Sequence, residues 1–465
     1  MIQPRIDLQA WLQENAAVPQ QALPVDSLHP AELSTDSRQL QPGSVFLPLI
    51  GDSFDGHRFL QQAFAQGARL AFCAESYFQA HQAELADLAL IRVADTLAAY
   101  QSLARSWRRL MGIPVIAVTG SSGKTSTKEI LFQVLSPFFR VHRSQANYNN
   151  QVGVPKTLLE LRPEHALCLV EMGMRGLGQI HELCSVAEPD YGIITNIGPV
   201  HLSELGTMEN VARAKWELAD WLQAHAGLLA INADNSWLHD LGLSYPGRLV
   251  RCGRGADDDL QMLESTAAAG SQRIRYRIGE QPARSLTIDL EGEHQALNLL
   301  CCLGILHSLD KTLPDGQELS VPRLFGRQQR QELANGLVLI NDAYNANPDS
   351  MKAALSVLAG QPGRRIAVLG KMAELGPQAD TYHRALGAVC EDLHLDAVYV
   401  VGPEARPVCE SLKQVPGFYF ERKEDLIAAL EAGLGPGDSV LFKASRSACL
   451  EEVVEPVTQY FTQLV

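Results

Sequence analysis

The 465-residue sequence contains no Cys-x-x-Cys pair, no low-complexity segment and no apolar run long enough to cross a membrane as a helix. Its nine cysteines are odd in number and lie mostly in apolar surroundings, so we expect buried thiols in a reducing compartment. The first residues, MIQPRIDLQAWLQ, lack the basic segment and following apolar run of a secretion signal. We therefore expect a cytoplasmic protein with no membrane insertion.

Positive charge is also scarce, with 39 Lys and Arg residues against 53 Asp and Glu residues and a formal net charge of −14. Binding to a phosphate backbone or an anionic membrane needs a basic surface, which this balance disfavours, although a local basic pocket is compatible with it. We expect no nucleic-acid partner. The 46% of hydrophobic and 20% of charged residues are ordinary for a folded globular enzyme.

No internal repeat is visible, and 465 residues exceed what one hydrophobic core organises, so we expect three domains. Residues 1–108 combine short strand candidates with helical stretches and predict a small α/β domain. Residues 109–318 alternate apolar strands with helices, which predicts a mostly parallel central sheet of P-loop type. Residues 319–465 repeat the alternation and favour a Rossmann-like domain. The predicted fold class is α/β.

Residues 115–128, VIAVTGSSGKTSTK, read as a buried strand, a turn of small residues and the start of a helix. Such a loop binds phosphate through backbone N–H groups and the helix N-terminus, with Lys124 reaching the outer phosphates and Thr125 placed to hold magnesium. The common Walker pattern is absent, because Val118 stands where its first glycine would be. A glycine-rich turn is often only a loop, but the strand, both glycines, Lys124 and Thr125 together favour the phosphate interpretation.

Three further residues lie where strands or helices of the central region would present them. Glu171 ends the apolar run ALCLVE, where it could ligate magnesium, although such glutamates are often solvated or paired. His201 follows the strand candidate YGIITNI and could be a turn residue or face the same crevice. Lys215, beside Glu217 in a helical stretch, is predicted from the sequence alone to be a solvated surface charge.

A polar cluster, NDAYNANPDSM at 341–351, follows the strand candidate LVLI. Asn and Asp residues satisfy turn backbones, so a tight strand-to-helix connection is one interpretation. At the carboxyl end of a strand, Asp342, Tyr344, Asn345 and Asn347 could also bind a ribose or a small polar substrate. The preceding arginines, Arg327 and Arg330, could be surface charges or nucleotide clamps, and nothing local decides between these roles.

Taken together, these segments resemble the Mur ligase family, the ATP-dependent amide-bond-forming ligases of peptidoglycan synthesis, over essentially the whole chain. The resemblance rests on TGSSGKTS at 119–126, NYNNQVGVP at 147–155, VEMGMRGLGQI, TNIGPVHL, ARAKWEL, EHQALNLL and GRQQR. Within the family, STDSR at 34–38, FDGH at 54–57, NDAYNANPDSM, LGKMAELG at 369–376 and FKASR at 442–446 look like the member that adds D-alanyl-D-alanine.

The resemblance implies ligation of D-alanyl-D-alanine to UDP-N-acetylmuramoyl-tripeptide through an acyl phosphate, with ATP and two magnesium ions. Residues 1–108 would bind the UDP substrate, residues 109–318 would bind ATP, and residues 319–465 would contact the dipeptide and the nucleotide. A monomer is expected. The third residue of the tripeptide, meso-diaminopimelate or lysine, stays open.

The resemblance also assigns roles to single residues. The expected catalytic residues are Lys124, His201 and Lys215. The expected ATP-binding residues are Gly120, Ser121, Ser122, Gly123, Lys124, Thr125, Ser126, Asn298, Arg330 and Asp342. The expected metal ligands are Thr125, Glu171, His201 and Lys215, the last as a carbamate. The expected UDP-substrate residues are Ser34, Asp36, Ser37 and Arg38, and the expected dipeptide residues are Asn345, Asn347, Ser445 and Arg446.

Some positions depart from the family pattern, among them Gln295 in the adenine helix, Gln328 and Gln329 between the arginines, Lys371, and Ala444. They bear on fine substrate contacts and leave the phosphate and metal residues unchanged. Two alternatives stay open: a sister ligase, such as the third-residue or a folate polyglutamate ligase, and a noncatalytic nucleotide-dependent scaffold. The DSR and FDGH segments disfavour the folate version, and the intact metal-site residues disfavour the scaffold.

Overall fold

The computed structural model describes residues 4–51, 53–145, 147–268 and 270–463. The chain divides into two compact units. The first contains the residues up to Ala117, Phe138–Gly173 and Ile180–Tyr191, and the second contains Val118–Pro137, Met174–Gln179 and the residues from Gly192 onward. The domain ranges expected from the sequence, 1–108, 109–318 and 319–465, stay a prediction.

The first unit contains a five-stranded sheet with the order Val18–Pro19, Leu90–Val93, Leu70–Ala74, Val45–Phe46, Leu33–Ser34. All neighbours are parallel except the first pair, which is antiparallel. Short strands pair Ile6–Asp7 with Ser27–Leu28 and Ile50–Gly51 with Phe54–Asp55. Its helices are Leu8–Glu14, Leu60–Ala65, Glu75–Ala80, Gln82–Leu85 and Thr96–Met111, with 3-10 turns at Pro30–Glu32, Ser37–Gln39 and Gly56–Phe59.

The helix Thr96–Met111 shows how local sequence sets these bounds. The Asp95 carboxylate accepts a hydrogen bond from the Ala98 N–H, which caps the helix N-terminus. Gly112 follows with φ of 63° and closes the other end in the left-handed conformation that favours glycine. In the same unit the strands Val141–Arg143 and Leu167–Glu171 pair in parallel, and the helix Gly153–Leu159 lies between them in sequence.

Seven strands of one sheet lie in the second unit, apart from Tyr191, in the order Tyr191–Ile194, Leu228–Asn232, Arg248–Gly253, Leu260–Ala268, Ser271–Ile278, Arg284–Ile288, Gln317–Leu319. The strand Val115–Thr119 and the helix Gln179–Ala187 each span the division between the units. Leu260–Ala268 and Ser271–Ile278 are antiparallel neighbours. Ser271–Ile278 and Arg284–Ile288 are antiparallel as well. The associated helices are Lys124–Leu135, Leu202–Leu205, Met208–Ala224, Ser236–Leu243 and Glu293–Ser308.

The same unit contains a six-stranded sheet with the order Gln329–Glu332, Val338–Asn341, Ser439–Lys443, Arg365–Leu369, Ala397–Val401, Gly417–Phe420. Only the first pair is antiparallel. The helices are Pro348–Ala359, Ala379–Asp392, Arg406–Glu410, Lys423–Gly433 and Glu451–Gln463, with 3-10 turns at Gly376–Gln378, Pro403–Ala405 and Arg446–Ala448.

Alternation along these strands explains why helices cover both faces of the six-stranded sheet. Ile340 and Leu441 enter one buried cluster together with Leu355 of a helix, whereas Leu339 and Phe442 enter a second cluster on the opposite face. A sheet buried on both faces consists of near-continuous apolar strands, as in LVLIN and SVLFK.

The predicted α/β class with mostly parallel sheets is confirmed. The predicted strands VIAVT, ALCLVE, YGIITNI, GLLAIN, LVLIND, RIAVLG, AVYVVG and SVLFKA all contain strands, at the bounds given above. None of the nine cysteines, all of which lie in the described ranges, forms a disulfide, and seven of them are buried. Among the described residues, no helix combines the length and apolarity that crossing a membrane requires.

Candidate active site

The phosphate loop predicted from the sequence connects the strand Val115–Thr119 to the helix Lys124–Leu135. Gly120 has φ of 148° and Gly123 has φ of 77°. The first turn of the helix has no side-chain cap, so its N-terminal N–H groups have the character of an anion-binding site. The Lys124 Nζ folds back and donates a hydrogen bond to the Gly120 carbonyl oxygen at 2.7 Å.

Both loop glycines lie against other side chains. A Cβ on Gly120 would lie 1.9 Å from Thr195 Oγ1, and one on Gly123 would lie 3.0 Å from Asn298 Nδ2. The Thr195 hydroxyl donates to the Ser122 carbonyl oxygen at 2.6 Å. The close approaches therefore exclude any residue with a side chain at Gly120 and place Asn298, from the helix Glu293–Ser308, beside the loop.

Asn196 accepts hydrogen bonds from two backbone amides of the loop. Its carbonyl oxygen accepts from the Ser121 N–H at 3.0 Å, and its Oδ1 accepts from the Ser122 N–H at 2.8 Å. These two hydrogen bonds therefore fix the backbone of the loop against Asn196. Neither Thr195 nor Asn196 is among the residues predicted from the sequence; their place directly after a strand, Tyr191–Ile194, is the signal that could have identified them.

Lys215 lies in the helix Met208–Ala224 with 2% of the residue exposed. The expectation of a solvated surface lysine is wrong. Lys215 falls on the stripe formed by Val211, Leu218 and Leu222, at the spacing that places residues on one buried helix face, and this periodicity could have revealed it. Burial, with a smaller contribution from the Lys124 ammonium, lowers the pKa of Lys215 well below its usual value. Among the described residues, none bonds or pairs with its amine.

His201 begins the short helix Leu202–Leu205 and has φ of 52°. Its Nδ1 lies 2.5 Å from Glu374 Oε2. The His201 ring beside it is the main reason that the pKa of the Glu374 carboxyl lies below its usual value. Glu374 belongs to the LGKMAELG segment and is not among the predicted site residues, because a contact between such distant segments has no local sequence signal.

The polar cluster after the strand Val338–Asn341 forms a strand-to-helix connection, as one interpretation predicted. Asn347 caps the helix Pro348–Ala359, and its side-chain oxygen accepts from the Ser350 N–H. The Asn347 amide also donates to the Ser121 carbonyl oxygen of the phosphate loop at 3.4 Å. The helix start and the phosphate loop are therefore adjacent in the second unit.

Asp342 and Lys443 form a buried ion pair of 2.5 Å in this connection. Lys443 also donates to the Asn345 carbonyl oxygen at 3.0 Å, so it ties two of the predicted substrate residues together. Ser445 accepts from the Ala373 N–H through its hydroxyl at 2.8 Å. The exposed Arg446 pairs with Glu451 at 2.7 Å, and its guanidinium carbon lies 5.9 Å from the centre of the Tyr344 ring.

Arg330 lies in the edge strand Gln329–Glu332 and donates to Gln361 Oε1 at 2.6 Å. Together with Glu291 and Gln328 it lines a small cleft. Gln328 is also within 3.4 Å of both Gln295 and the ring of His294. Burial lowers the pKa of His294 to about 4, so this ring is neutral at physiological pH. The other predicted clamp, Arg327, has its guanidinium carbon 4.4 Å from the Tyr344 ring centre.

The remaining predicted residues belong to the first unit. Glu171 is the last residue of its strand; Asn149 donates to its Oε1 at 2.9 Å, while its buried Oε2 has no hydrogen-bond partner among the described residues. Asp36 pairs with Arg38 at 2.8 Å, and this contact lowers the pKa of Asp36 to about 2. Ser37 and Arg38 form a 3-10 turn after Ser34, and the Arg38 side chain is 84% exposed.

The described residues contain no group of three or more His, Cys, Asp or Glu side chains arranged to hold a metal ion. Magnesium bound with nucleotides usually takes only one or two protein ligands and keeps phosphate oxygens and water for the rest. In the second unit, Thr125 is buried in the first turn of its helix and its hydroxyl suits that role; in the first unit, the unpartnered oxygen of Glu171 suits it as well.

Models of three Mur ligase domains match the chain: the Mur ligase family catalytic domain at 29–108, the middle domain at 118–306 and the glutamate ligase domain at 326–446. The UDP-N-acetylmuramoyl-tripeptide--D-alanyl-D-alanine ligase of Synechocystis is 38% identical over 429 residues, which cover 91% of this chain and 90% of the relative.

Solved structures agree with the sequence comparison. MurF from Acinetobacter baumannii matches with a TM-score of 0.88 and 28% identity, covering 99% of this chain and 100% of its own. MurF ligase from Thermotoga maritima, in complex with ADP, matches with a TM-score of 0.83 and 26% identity, covering 93% of this chain and 98% of its own. With its phosphate loop, its domain matches and these relatives, the chain belongs to the Mur ligase family.

Proposed function

We propose that this chain joins D-alanyl-D-alanine to UDP-N-acetylmuramoyl-tripeptide at the expense of ATP, giving UDP-N-acetylmuramoyl-pentapeptide, ADP and phosphate. The sequence motifs of the D-alanyl-D-alanine-adding member and the similarity to the Synechocystis ligase support this substrate choice. The similarity to an ADP-bound MurF supports the use of ATP.

The contact between Asn347 and Ser121 is the observation that carries the proposal. It joins the segment expected to receive the dipeptide to the loop expected to bind the ATP phosphates, at 3.4 Å. A ligase needs this adjacency because the amine must attack a carboxyl group that has just taken the γ-phosphoryl group from ATP. Proximity of the two reactants can contribute several kcal/mol to lowering the barrier.

The chemistry has two steps. The terminal carboxylate of the tripeptide attacks the γ-phosphorus of ATP, ADP leaves, and an acyl phosphate forms. The neutral amine of the dipeptide then attacks the acyl carbon, the resulting tetrahedral species expels phosphate, and one proton from nitrogen is released. The phosphate therefore carries away one oxygen that began in the tripeptide carboxylate.

Both steps concentrate negative charge, so positioned positive groups should supply most of the catalysis. In this proposal Lys124 and the N-terminal amides of its helix hold the outer phosphates, with the loop residues Gly120 to Ser126 around them. Asn298 lies against Gly123 and would contact the nucleotide from its helix. Arg330 and Asp342 would contact the adenine, phosphates or ribose, and the Lys443 pair fixes the Asp342 carboxylate.

The resemblance assigns magnesium ligands to both units. Thr125 of the second unit and Glu171 of the first are each proposed as a ligand, and His201 with Lys215 would hold a second ion. When bound, magnesium neutralises phosphate charge and raises the electrophilicity of phosphorus and of the acyl carbon. The protein residues bind, orient and shield these groups from water.

Lys215 would serve as a ligand after carbamylation. A carbamate forms when an uncharged amine attacks carbon dioxide, and burial favours the uncharged amine of Lys215. The carbamate is an anion with two oxygens, which are the ligand atoms that magnesium prefers. Magnesium bound to the carbamate would also be a polar partner for the buried Lys215 side chain, which has none among the described residues.

The remaining substrate contacts divide by unit. In the first unit, Ser34, Asp36, Ser37 and Arg38 would hold the uridine diphosphate end, and the exposed Arg38 suits a phosphate. In the second unit, Asn345, Asn347, Ser445 and Arg446 would receive the dipeptide, with Arg446 as the carboxylate partner. We further propose that the chain works as a monomer in the cytoplasm, where ATP and UDP-linked precursors are available.

The test measures phosphate release from ATP and magnesium by purified protein with UDP-N-acetylmuramoyl-tripeptide, D-alanyl-D-alanine, or both. Parallel reactions use diaminopimelate- and lysine-containing tripeptides. We expect phosphate and the pentapeptide product only when both substrates are present, with one tripeptide preferred. If neither tripeptide supports turnover, the proposal fails. Turnover with UDP-N-acetylmuramoyl-dipeptide and a diamino acid, or with folate and glutamate, would identify a sister activity instead.

A further inference from the structure

The contact between His201 and Glu374 brings together two segments that are distant in sequence. Glu374 Oε2 lies 2.5 Å from His201 Nδ1, and Arg175 lies 3.9 Å from the other carboxylate oxygen. The backbones of the two segments are also hydrogen-bonded, since the Ser203 N–H donates to the Glu374 carbonyl oxygen at 3.3 Å. A Cβ on Gly376 would lie 3.4 Å from the Ser203 backbone, so the two segments pack closely.

Both partners occupy an unusual backbone conformation. His201 has φ of 52° and Glu374 has φ of 63°, in the left-handed region that residues other than glycine adopt uncommonly, histidine more readily than glutamate. Such conformations are unfavourable locally and persist where the surrounding structure holds them. Two of them facing each other indicate that the contact is maintained against a local cost.

The segment that carries Glu374 is anchored from its own side. The Met372 N–H donates to Nε2 of the fully buried His383, at 2.9 Å, and the Ala373 N–H donates to the Ser445 hydroxyl at 2.8 Å. The Nδ1 of His383 in turn lies 2.7 Å from the Ala379 carbonyl oxygen. These hydrogen bonds fix the backbone at Met372 and Ala373 and so aim the carboxylate of the next residue, Glu374, at His201.

We propose that Glu374 is a positioning residue that holds the His201 ring with Nδ1 occupied and Nε2 available to the reacting phosphate or its metal ion. This inference rests on the proposed ligase function. A carboxylate on one ring nitrogen selects the tautomer with its proton there, which leaves a lone pair on the other nitrogen and fixes the ring plane. Among the described residues, no hydrogen bond or ion pair involves Nε2, which leaves it for a ligand.

The first test is a double-mutant cycle on the ligation rate with His201→Ala, Glu374→Ala and the double variant. Loss of a carboxylate behind a metal-binding histidine typically costs 10- to 100-fold in affinity or activity, so we expect Glu374→Ala to lower kcat by about that factor. Because Glu374 acts through His201, the double variant should be no slower than His201→Ala within about twofold. Losses that multiply in the double variant would overturn the proposal.

The second test reads metal binding without turnover. Mn²⁺ binding to the ADP complex is titrated by electron paramagnetic resonance for the wild type and each variant. We expect Glu374→Ala and His201→Ala to weaken the same class of Mn²⁺ site by about tenfold or more. Unchanged Mn²⁺ affinity in Glu374→Ala would refute a positioning role.

Matched variants keep the result interpretable. Glu374→Gln preserves the side-chain size and is measured beside the alanine variant, so that a folding defect in one does not decide the outcome. Glu410 is the control, because it is also a partly exposed, arginine-paired carboxylate of the same sequence region, and we expect Glu410→Ala to match wild type in both tests. Failure of the wild type to ligate refutes the proposed function, whereas wild-type ligation with an unaffected Glu374→Ala refutes this inference alone.

Discussion

At the scale of single residues, the buried lysines show how the chain treats charge in its interior. Lys443 is 3% exposed and pairs with Asp342, which offsets the cost of removing its ammonium from water. Lys215 is equally buried, and no described residue pairs with it. A group that costs stability without a structural partner is typical of a functional site.

We expect Lys215→Met to lower the ligation rate on the order of a hundredfold while making the folded protein more stable. The added stability follows from replacing a desolvated amine with an apolar side chain of similar length. The ligation rate and the urea midpoint of unfolding measure the two effects, with the exposed Lys413→Met as control. A variant that is both active and unchanged in stability would contradict this account of Lys215.

The pH dependence of that stability gain has a definite sign. The pKa of Lys215 is lowered in the folded state, so the unfolded chain binds more protons between the folded pKa and the usual value of 10.5. The cost of burying Lys215 is therefore complete below the folded pKa and disappears as pH rises to 10.5. In buffer freed of carbon dioxide, the gain from Lys215→Met should shrink with rising pH, and a gain that grows with pH would contradict it.

At the scale of elements, the phosphate loop and the helix Pro348–Ala359 carry the proposed chemistry, and both have local signals. The small residues of TGSSGKT predicted the loop, and one interpretation of NDAYNANPDSM predicted a strand-to-helix connection. The antiparallel strands from Leu260 to Ile288 and the edge strand that contains Arg330 were not predicted. Polar and apolar residues alternate in SQRIRYRI, which is the pattern of a half-exposed strand, but alternation does not specify the neighbouring strand.

Gly120→Ala tests the close packing of the loop. The added Cβ would lie 1.9 Å from Thr195 Oγ1, so we expect overpacking and backbone strain to lower the free energy of unfolding by about 3 kcal/mol. Gly279→Ala is the matched control, since Gly279 has φ of 46° with nothing within 4 Å of its Cβ position. It should cost about 1 kcal/mol, from strain alone. Equal losses in urea unfolding would show that Thr195 does not constrain the loop.

Substitutions of Asn347 test whether the start of the helix Pro348–Ala359 also takes part in the reaction. Asn347→Ala should cost about 1 kcal/mol of stability because the cap is lost. Asn347→Asp keeps a capping oxygen but removes the amide that donates to Ser121, so we expect normal stability and a ligation rate lower by about tenfold or more. Wild-type turnover by Asn347→Asp would mean that Asn347 is only a helix cap.

At the scale of the whole molecule, the site in the second unit combines residues from segments far apart in the chain. Gly120, Asn298 and Asn347 meet around one loop, and His201 meets Glu374. The motifs predicted which segments form the loop and the strand ends, because local composition determines such features. The Glu374 contact, the Lys443 pair and the burial of Lys215 could not be predicted in the same way, because they depend on how distant segments pack.

The most direct measurement follows an oxygen isotope through the reaction. UDP-N-acetylmuramoyl-tripeptide labelled with ¹⁸O in its terminal carboxylate is incubated with the protein, ATP, magnesium and D-alanyl-D-alanine, and the phosphate and peptide products are analysed by mass. Our account predicts UDP-N-acetylmuramoyl-pentapeptide together with phosphate that carries one labelled oxygen from the carboxylate. Unlabelled phosphate would exclude the acyl phosphate, and phosphate released without pentapeptide would contradict the proposed ligation.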